Sequence, residues 1–169
     1  SYGISIKRLT NKNFKLKNSF AYFAKTKEIG WSPVIGLFYN KSKLFRKDGL
    51  IPTHFESNFD QLNGLTAIDS SSLGFDIGLT GLANLGPVFL GGLITVGLQG
   101  QQQYFSGIKT EKRTVTAPTS NVFVDLGYDT DKVGTIGFSI RSFSSVIPIK
   151  NAEFAMSRST TSLYYKYFF

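Results

Sequence analysis

The chain has no cysteine, one histidine, one methionine, one tryptophan and five prolines in 169 residues. Without cysteine there is no disulfide framework, no thiolate metal centre and no cysteine nucleophile. A single histidine excludes a metal site built mainly from imidazoles. Charge is also scarce. Asp, Glu, Lys and Arg make up 18% of the residues, against about 25% in an ordinary soluble domain. Acidic residues are the rarer sign, 11 against 19 basic, so the formal charge is +8. What the chain has in quantity is aromatic side chains and glycine: 16 Phe, 8 Tyr and 17 Gly. Such a composition excludes a disordered or collagen-like chain. The length suits one domain, residues 1–169. No leader is legible before Ser1, so either a signal peptide has been removed or the sequence is a fragment that lacks N-terminal residues.

The basic excess is uneven. Lys7, Arg8, Lys12, Lys15, Lys17, Lys25 and Lys27 crowd the first segment, and Lys41, Lys43, Arg46 and Lys47 follow. Basic surfaces attract nucleic acid or anionic lipid. No helix-turn-helix, finger or RNA-binding signature accompanies these residues, so nucleic acid is not an expected partner. The plainer expectation is a set of lysine-rich loops that stay wet and blunt strand edges. Outer-membrane lipid or lipopolysaccharide is the expected anionic partner.

Leu82–Leu98 reads LANLGPVFLGGLITVGL, long enough to cross a bilayer as a helix. Its chemistry argues otherwise. Gly86, Pro87, Gly91, Gly92 and Gly97 are poor helix residues, and Val88, Ile94, Thr95 and Val96 favour strand. Gly86-Pro87 is a turn signal.

Alternation dominates the rest. Leu73, Phe75, Ile77 and Leu79 alternate with Gly74, Asp76, Gly78 and Thr80. Val88, Leu90, Ile94, Val96 and Leu98 oppose Gly91, Thr95, Gly97, Gln99 and Gln101, with Phe89 and Leu93 as exceptions. Similar patterns cover Val122–Tyr128, Ile136–Ile140 and Leu163–Phe169. The spacing predicts about eight strands, near 1–9, 14–24, 30–43, 70–83, 87–105, 118–130, 132–146 and 158–169. Short turns fall at Asn11–Asn13, Leu85–Pro87 and Asp129–Asp131. Longer connections are expected over 45–68, 106–117 and 147–157. The expected class is all-β, an antiparallel up-and-down transmembrane β-barrel of about eight strands.

The polar face decides the orientation. A soluble outer surface is dense in Lys and Glu. Here that face is Gly, Ser, Thr and Gln, with the isolated charges Asp76, Asp125, Arg141 and Lys166. Small residues and mutually paired ions suit a narrow lumen. Tyr2, Tyr22, Trp31, Tyr39, Tyr104, Phe105 and Tyr128 fall near strand ends, where aromatic girdles belong. A soluble lipocalin-like carrier of an apolar ligand is the inverse alternative. At the C-terminus Leu163, Tyr165, Tyr167 and Phe169 form an unbroken apolar lane. It resembles the terminal strand signal by which outer-membrane barrels are delivered to the barrel-assembly machinery.

A family resemblance covers residues 15–105. Ser19-Phe20, then Gly30-Trp-Ser-Pro-Val-Ile-Gly-Leu-Phe-Tyr39, Gly49-Leu-Ile-Pro52 with Phe55 and Phe59, and Leu73-Gly-Phe75 with Gly78 carry it. Together they resemble an uncharacterised (domain-of-unknown-function) family of Gram-negative outer-membrane β-barrel proteins. Trp31-Ser32 departs from that family's pattern, which has a glycine there. The resemblance implies the outer membrane of a Gram-negative bacterium as location and assigns no activity, cofactor or catalytic residue.

Chemistry has one candidate place, a rim loop holding His54, Glu56, Ser57 and Asp60. These types could serve a lipid-modifying enzyme, but four residues of one loop are more simply a polar loop packed down by Phe55 and Phe59. Asp129-Thr-Asp131 reads as a turn rather than a cation site, and no metal or cofactor is expected. The expected function is therefore non-enzymatic: a structural or accessory barrel docked on other outer-membrane protein subunits. Val88, Leu90, Ile94, Val96 and Leu98 are the candidate partner wall.

Overall fold

The computed structural model describes residues 2–14, 29–51, 64–107, 111–130, 134–149 and 152–167. These form seven strands and no helix: β1 (Tyr2–Leu9), β2 (Gly30–Phe45), β3 (Ala67–Leu85), β4 (Val88–Ser106), β5 (Glu111–Asp129), β6 (Gly134–Ile149) and β7 (Ala152–Tyr167). No described helix is long and apolar enough to cross a membrane. The strands make one antiparallel sheet in chain order, β1 to β7. Among the described residues the sheet does not close on itself. Each strand reverses the last, so β1 and β7 run in the same direction.

The stretch from 82 to 98 is a hairpin, as its glycines and β-branched residues require. Leu85 pairs with Val88 across the Gly86-Pro87 turn. A two-residue hairpin turn needs left-handed backbone at its first position, which Gly86 supplies with φ 63°.

Several boundaries differ from the sequence expectation. β5 begins at Glu111 and β7 at Ala152, so most of 106–117 and 147–157 is strand rather than loop. The reason is chemical. Glu111–Thr116 has Val115 as its one apolar residue, and Ala152–Ser157 has only Phe154 and Met156 of any size, too little apolar alternation to mark a strand. Of the third expected long connection, over 45–68, the described residues 46–51 and 64–66 form no strand, and 52–63 lie outside the described residues. β1 bonds directly to β2, from Tyr2↔Lys41 to Leu9↔Val34. The strand expected over 14–24 lies, Phe14 excepted, outside the described residues.

One face of the sheet is buried and curled on itself. Side chains from strands that are not neighbours meet there. Phe14, Leu82 of β3 and Phe89 of β4 form one cluster, against which Leu9 of β1 and Tyr164 of β7 pack. Val34, Leu93 and Phe123 form a second. Ile51, Leu65, Ile68, Phe105 and Ile147 form a third, at the end of the sheet away from the Gly86-Pro87 turn. Phe89 and Leu93 are therefore in phase with the buried face rather than breaks in the pattern. Phe105, expected in an aromatic girdle, is 5% exposed and belongs to this interior.

Curling crowds the inner face, and glycine relieves it. Asp76 stands in register between Gly36 and Gly97. A Cβ on Gly97 would lie 2.1 Å from the Phe75 carbonyl oxygen. Phe89 likewise faces Gly127, whose neighbour on the far side is Gly137, opposite Tyr164. Large beside small is how a tightly curved sheet fits side chains on its concave side.

Candidate functional site

The two faces invert the usual order of a soluble sheet. The buried face carries Ser32, Ser70, Ser72, Asp76, Thr80, Thr95, Gln99, Gln101, Gln103, Thr119, Asp125, Thr135 and Ser145. The exposed face carries most of the large apolar residues of β2 to β7, among them Leu73 at 67% and Ile77 at 53% exposed.

The buried polar groups bond mainly across the concavity. Lys7 of β1 donates to and ion-pairs with Asp76 of β3. The Thr95 hydroxyl donates to the same carboxylate at 3.2 Å. The Tyr164 hydroxyl of β7 donates to Asp125 of β5 at 2.8 Å. Gln99 of β4 donates to the Ser145 hydroxyl of β6 at 2.6 Å, and Gln101 to the Val146 carbonyl at 2.8 Å. Gln103 donates to the Gln101 side-chain oxygen at 2.8 Å. These bonds offset part of the cost of burial, although Asp76 Oδ1 and Gln103 Oε1 have no hydrogen-bond partner among the described residues.

Of the four charges expected inside, Asp76 and Asp125 are buried at 6% and 0% exposure. Lys166 is half-buried, whereas Arg141 is exposed. Neither basic residue is the partner of Asp76. That partner is Lys7, in the strand expected over 1–9. Its position was legible, because Lys7 alternates with Ile6 in a strand and shares the face of Gly3 and Ser5. Gln99 and Gln101, expected on the polar face with Thr95, are buried there, and Gln103 continues their phase.

The outer face is apolar over part of each strand. The candidate partner wall Val88, Leu90, Ile94, Val96 and Leu98 is exposed throughout, and so are Leu163, Tyr165 and Tyr167 of the C-terminal lane. Phe169 lies outside the described residues, as do His54, Glu56, Ser57, Asp60 and Tyr22. Gly81 and Gly92 pair in register on this outer face, leaving a dent beside Trp31 and Val124.

The upper limit of the apolar lane is Leu73 in β3, Leu98 in β4, Val122 in β5, Ile140 in β6 and Leu163 in β7. In register, however, Leu73 faces Gly100, Leu98 faces Pro118, Val122 faces Ser142 and Ile140 faces Thr161. The lane thus steps two, four, two and two residues from strand to strand, always toward the Gly86-Pro87 end. A single flat boundary crossing tilted strands produces such a staircase. Exposed aromatics mark both margins: Trp31, Tyr128, Tyr165 and Tyr167 toward that end, and Tyr2, Tyr39 and Tyr104 toward the other.

Beyond the upper margin the outer face turns polar and basic. Lys43, Asp69, Tyr104 and Lys112 stand in register on successive strands. Lys43 and Asp69 are 3.6 Å apart, and the Lys112 ammonium sits 5.5 Å over the Tyr104 ring. Tyr2 and Lys41 pair one row nearer the apolar lane. Lys41 and Lys43 thus stand on strand β2, inside the strand expected over 30–43.

No group of acidic or imidazole side chains among the described residues could hold a metal ion. Comparisons with protein-family models, curated proteins and solved structures return no match.

Proposed function

We propose that the chain is a non-enzymatic transmembrane β-barrel of an outer membrane, with its lumen filled by side chains. The observation that carries this reading is the inversion of the sheet, with large apolar residues exposed and Asp76, Asp125 and the Gln99–Gln103 ladder buried. Water penalises such a surface, and a bilayer rewards it. The staircase of the apolar margin supports the same reading. A flat bilayer cuts tilted strands obliquely, and strand tilt is what barrel closure demands. Val88–Leu98, at about 3.4 Å per residue and a tilt of about 40–45°, projects to about 25 Å, the height of a lipid-facing band. Because β1 and β7 run in the same direction, an all-antiparallel ring of eight places one further strand between them, antiparallel to both.

A soluble carrier of an apolar ligand needs the opposite arrangement, a greasy interior beneath a charged exterior. The bonded inner face also leaves little room for a wide pore, so the working surfaces are the wall and the loops. Within the membrane, the Gly81–Gly92 dent in the Val88–Leu98 wall favours close approach by another membrane protein, because small residues let backbones come together. An accessory subunit of a larger outer-membrane assembly fits this arrangement.

The test is extraction and electrophoresis of the full chain. Solubility only in detergent, with faster migration of the unheated than the heated protein, is the expected result. A monomer that stays in aqueous buffer without detergent rejects the proposal.

A further inference from the structure

Resting on the membrane reading, we infer that the outer-face recess between β1 and β4 is a binding site for the phosphate of an anionic lipid headgroup. Tyr2, Lys41, Lys43, Asp69, Ser71 and Tyr104 line an open recess of about 600 Å³. It lies immediately beyond the apolar lane: Tyr39 and Leu73, the last apolar pair, are followed on their strands by Lys41 and Ser71. A lipid whose chains lie on Leu37, Leu73 and Phe75 presents its phosphate at this height.

The charge matches. Lys41 has no acidic partner among the described residues, and its row offers the Ser71 and Tyr2 hydroxyls as further donors. Lys43 is held only loosely, at 3.6 Å from Asp69, with 61% of its side chain exposed. An exposed pair of that kind contributes little and is readily shared with a phosphate. Lys112, fixed over Tyr104, adds a third cation at the margin. Three ammonium groups face one carboxylate, so the recess is cationic.

Native mass spectrometry of the full chain in maltoside micelles tests the site, with phosphatidylglycerol, phosphatidylcholine and inorganic phosphate as probes. Phosphatidylglycerol is expected to be retained roughly tenfold or more tightly than phosphatidylcholine. Lys41→Ser with Lys43→Ser should abolish that preference, whereas Lys47→Ser, outside the recess, should preserve it. Equal retention of the two lipids, or a preference unchanged in the double variant, overturns the site. Inorganic phosphate binding as tightly as the lipid overturns the lipid as its source. Failure of the recess is distinguishable from failure of the membrane reading. A chain that inserts into vesicles but shows no lysine-dependent preference loses only the recess, and a chain that stays in the aqueous fraction loses both.

Discussion

Asp76 and Ile77 are neighbours in β3, yet the carboxylate is 6% exposed and the aliphatic side chain 53% exposed. The same reversal recurs at Thr95 and Ile94 in β4 and at Asp125 and Val124 in β5. The two faces teach different things about stability. Inside, specific hydrogen bonds and ion pairs hold strands together across the concavity, and each bond depends on a particular partner. Outside, no side chain needs a particular partner, because any apolar medium satisfies it.

Breaking the inner face should cost most. Lys7→Met strands the Asp76 carboxylate among Gly36, Gly97 and Thr95, and should lower stability by about 3–5 kcal/mol. Urea titration of the refolded protein measures it, and adding Asp76→Asn should restore part of the loss. The outer face is sharpened by depth. Ile77→Arg, in the middle of the apolar lane, should cost about 2–4 kcal/mol in a bilayer, whereas Gln102→Arg, beyond its upper margin, should cost about 0–1. Equal costs measured in lipid vesicles would contradict a lipid-facing lane. Gly97→Ala should cost about 1–3 kcal/mol, less than either lesion above, because its Cβ meets the Phe75 carbonyl and the strands must part. Thermal denaturation in detergent reads that shift.

Much of this arrangement was legible in the residues. The period of two in Leu73–Thr80 and Val88–Leu98 predicted strands, and the poverty of charge on the polar face predicted its burial. Of the charges expected in the lumen, Asp76 and Asp125 are buried, Lys166 is half-buried and Arg141 is exposed. The N-terminal parts of β5 and β7 were not legible, since Glu111–Thr116 and Ala152–Ser157 carry little apolar alternation. Nor was the pairing of Lys7 with Asp76, which lie 69 positions apart. The basic recess was hidden for a related reason. Lys43, Asp69, Tyr104 and Lys112 are scattered along the chain and become one row only in register.

The sequence by itself determined which residues share a face, because side chains of an extended strand alternate by geometry alone. It also determined that this chain is rich in strand and poor in reactive groups, since no fold creates a cysteine or a second histidine. Only the tertiary structure decided which strand lies beside which and how far each is shifted. That shift depends on hydrogen bonding and packing between distant segments. From it come the ion pair under the sheet, the slanted margin of the apolar lane and the cationic recess above it.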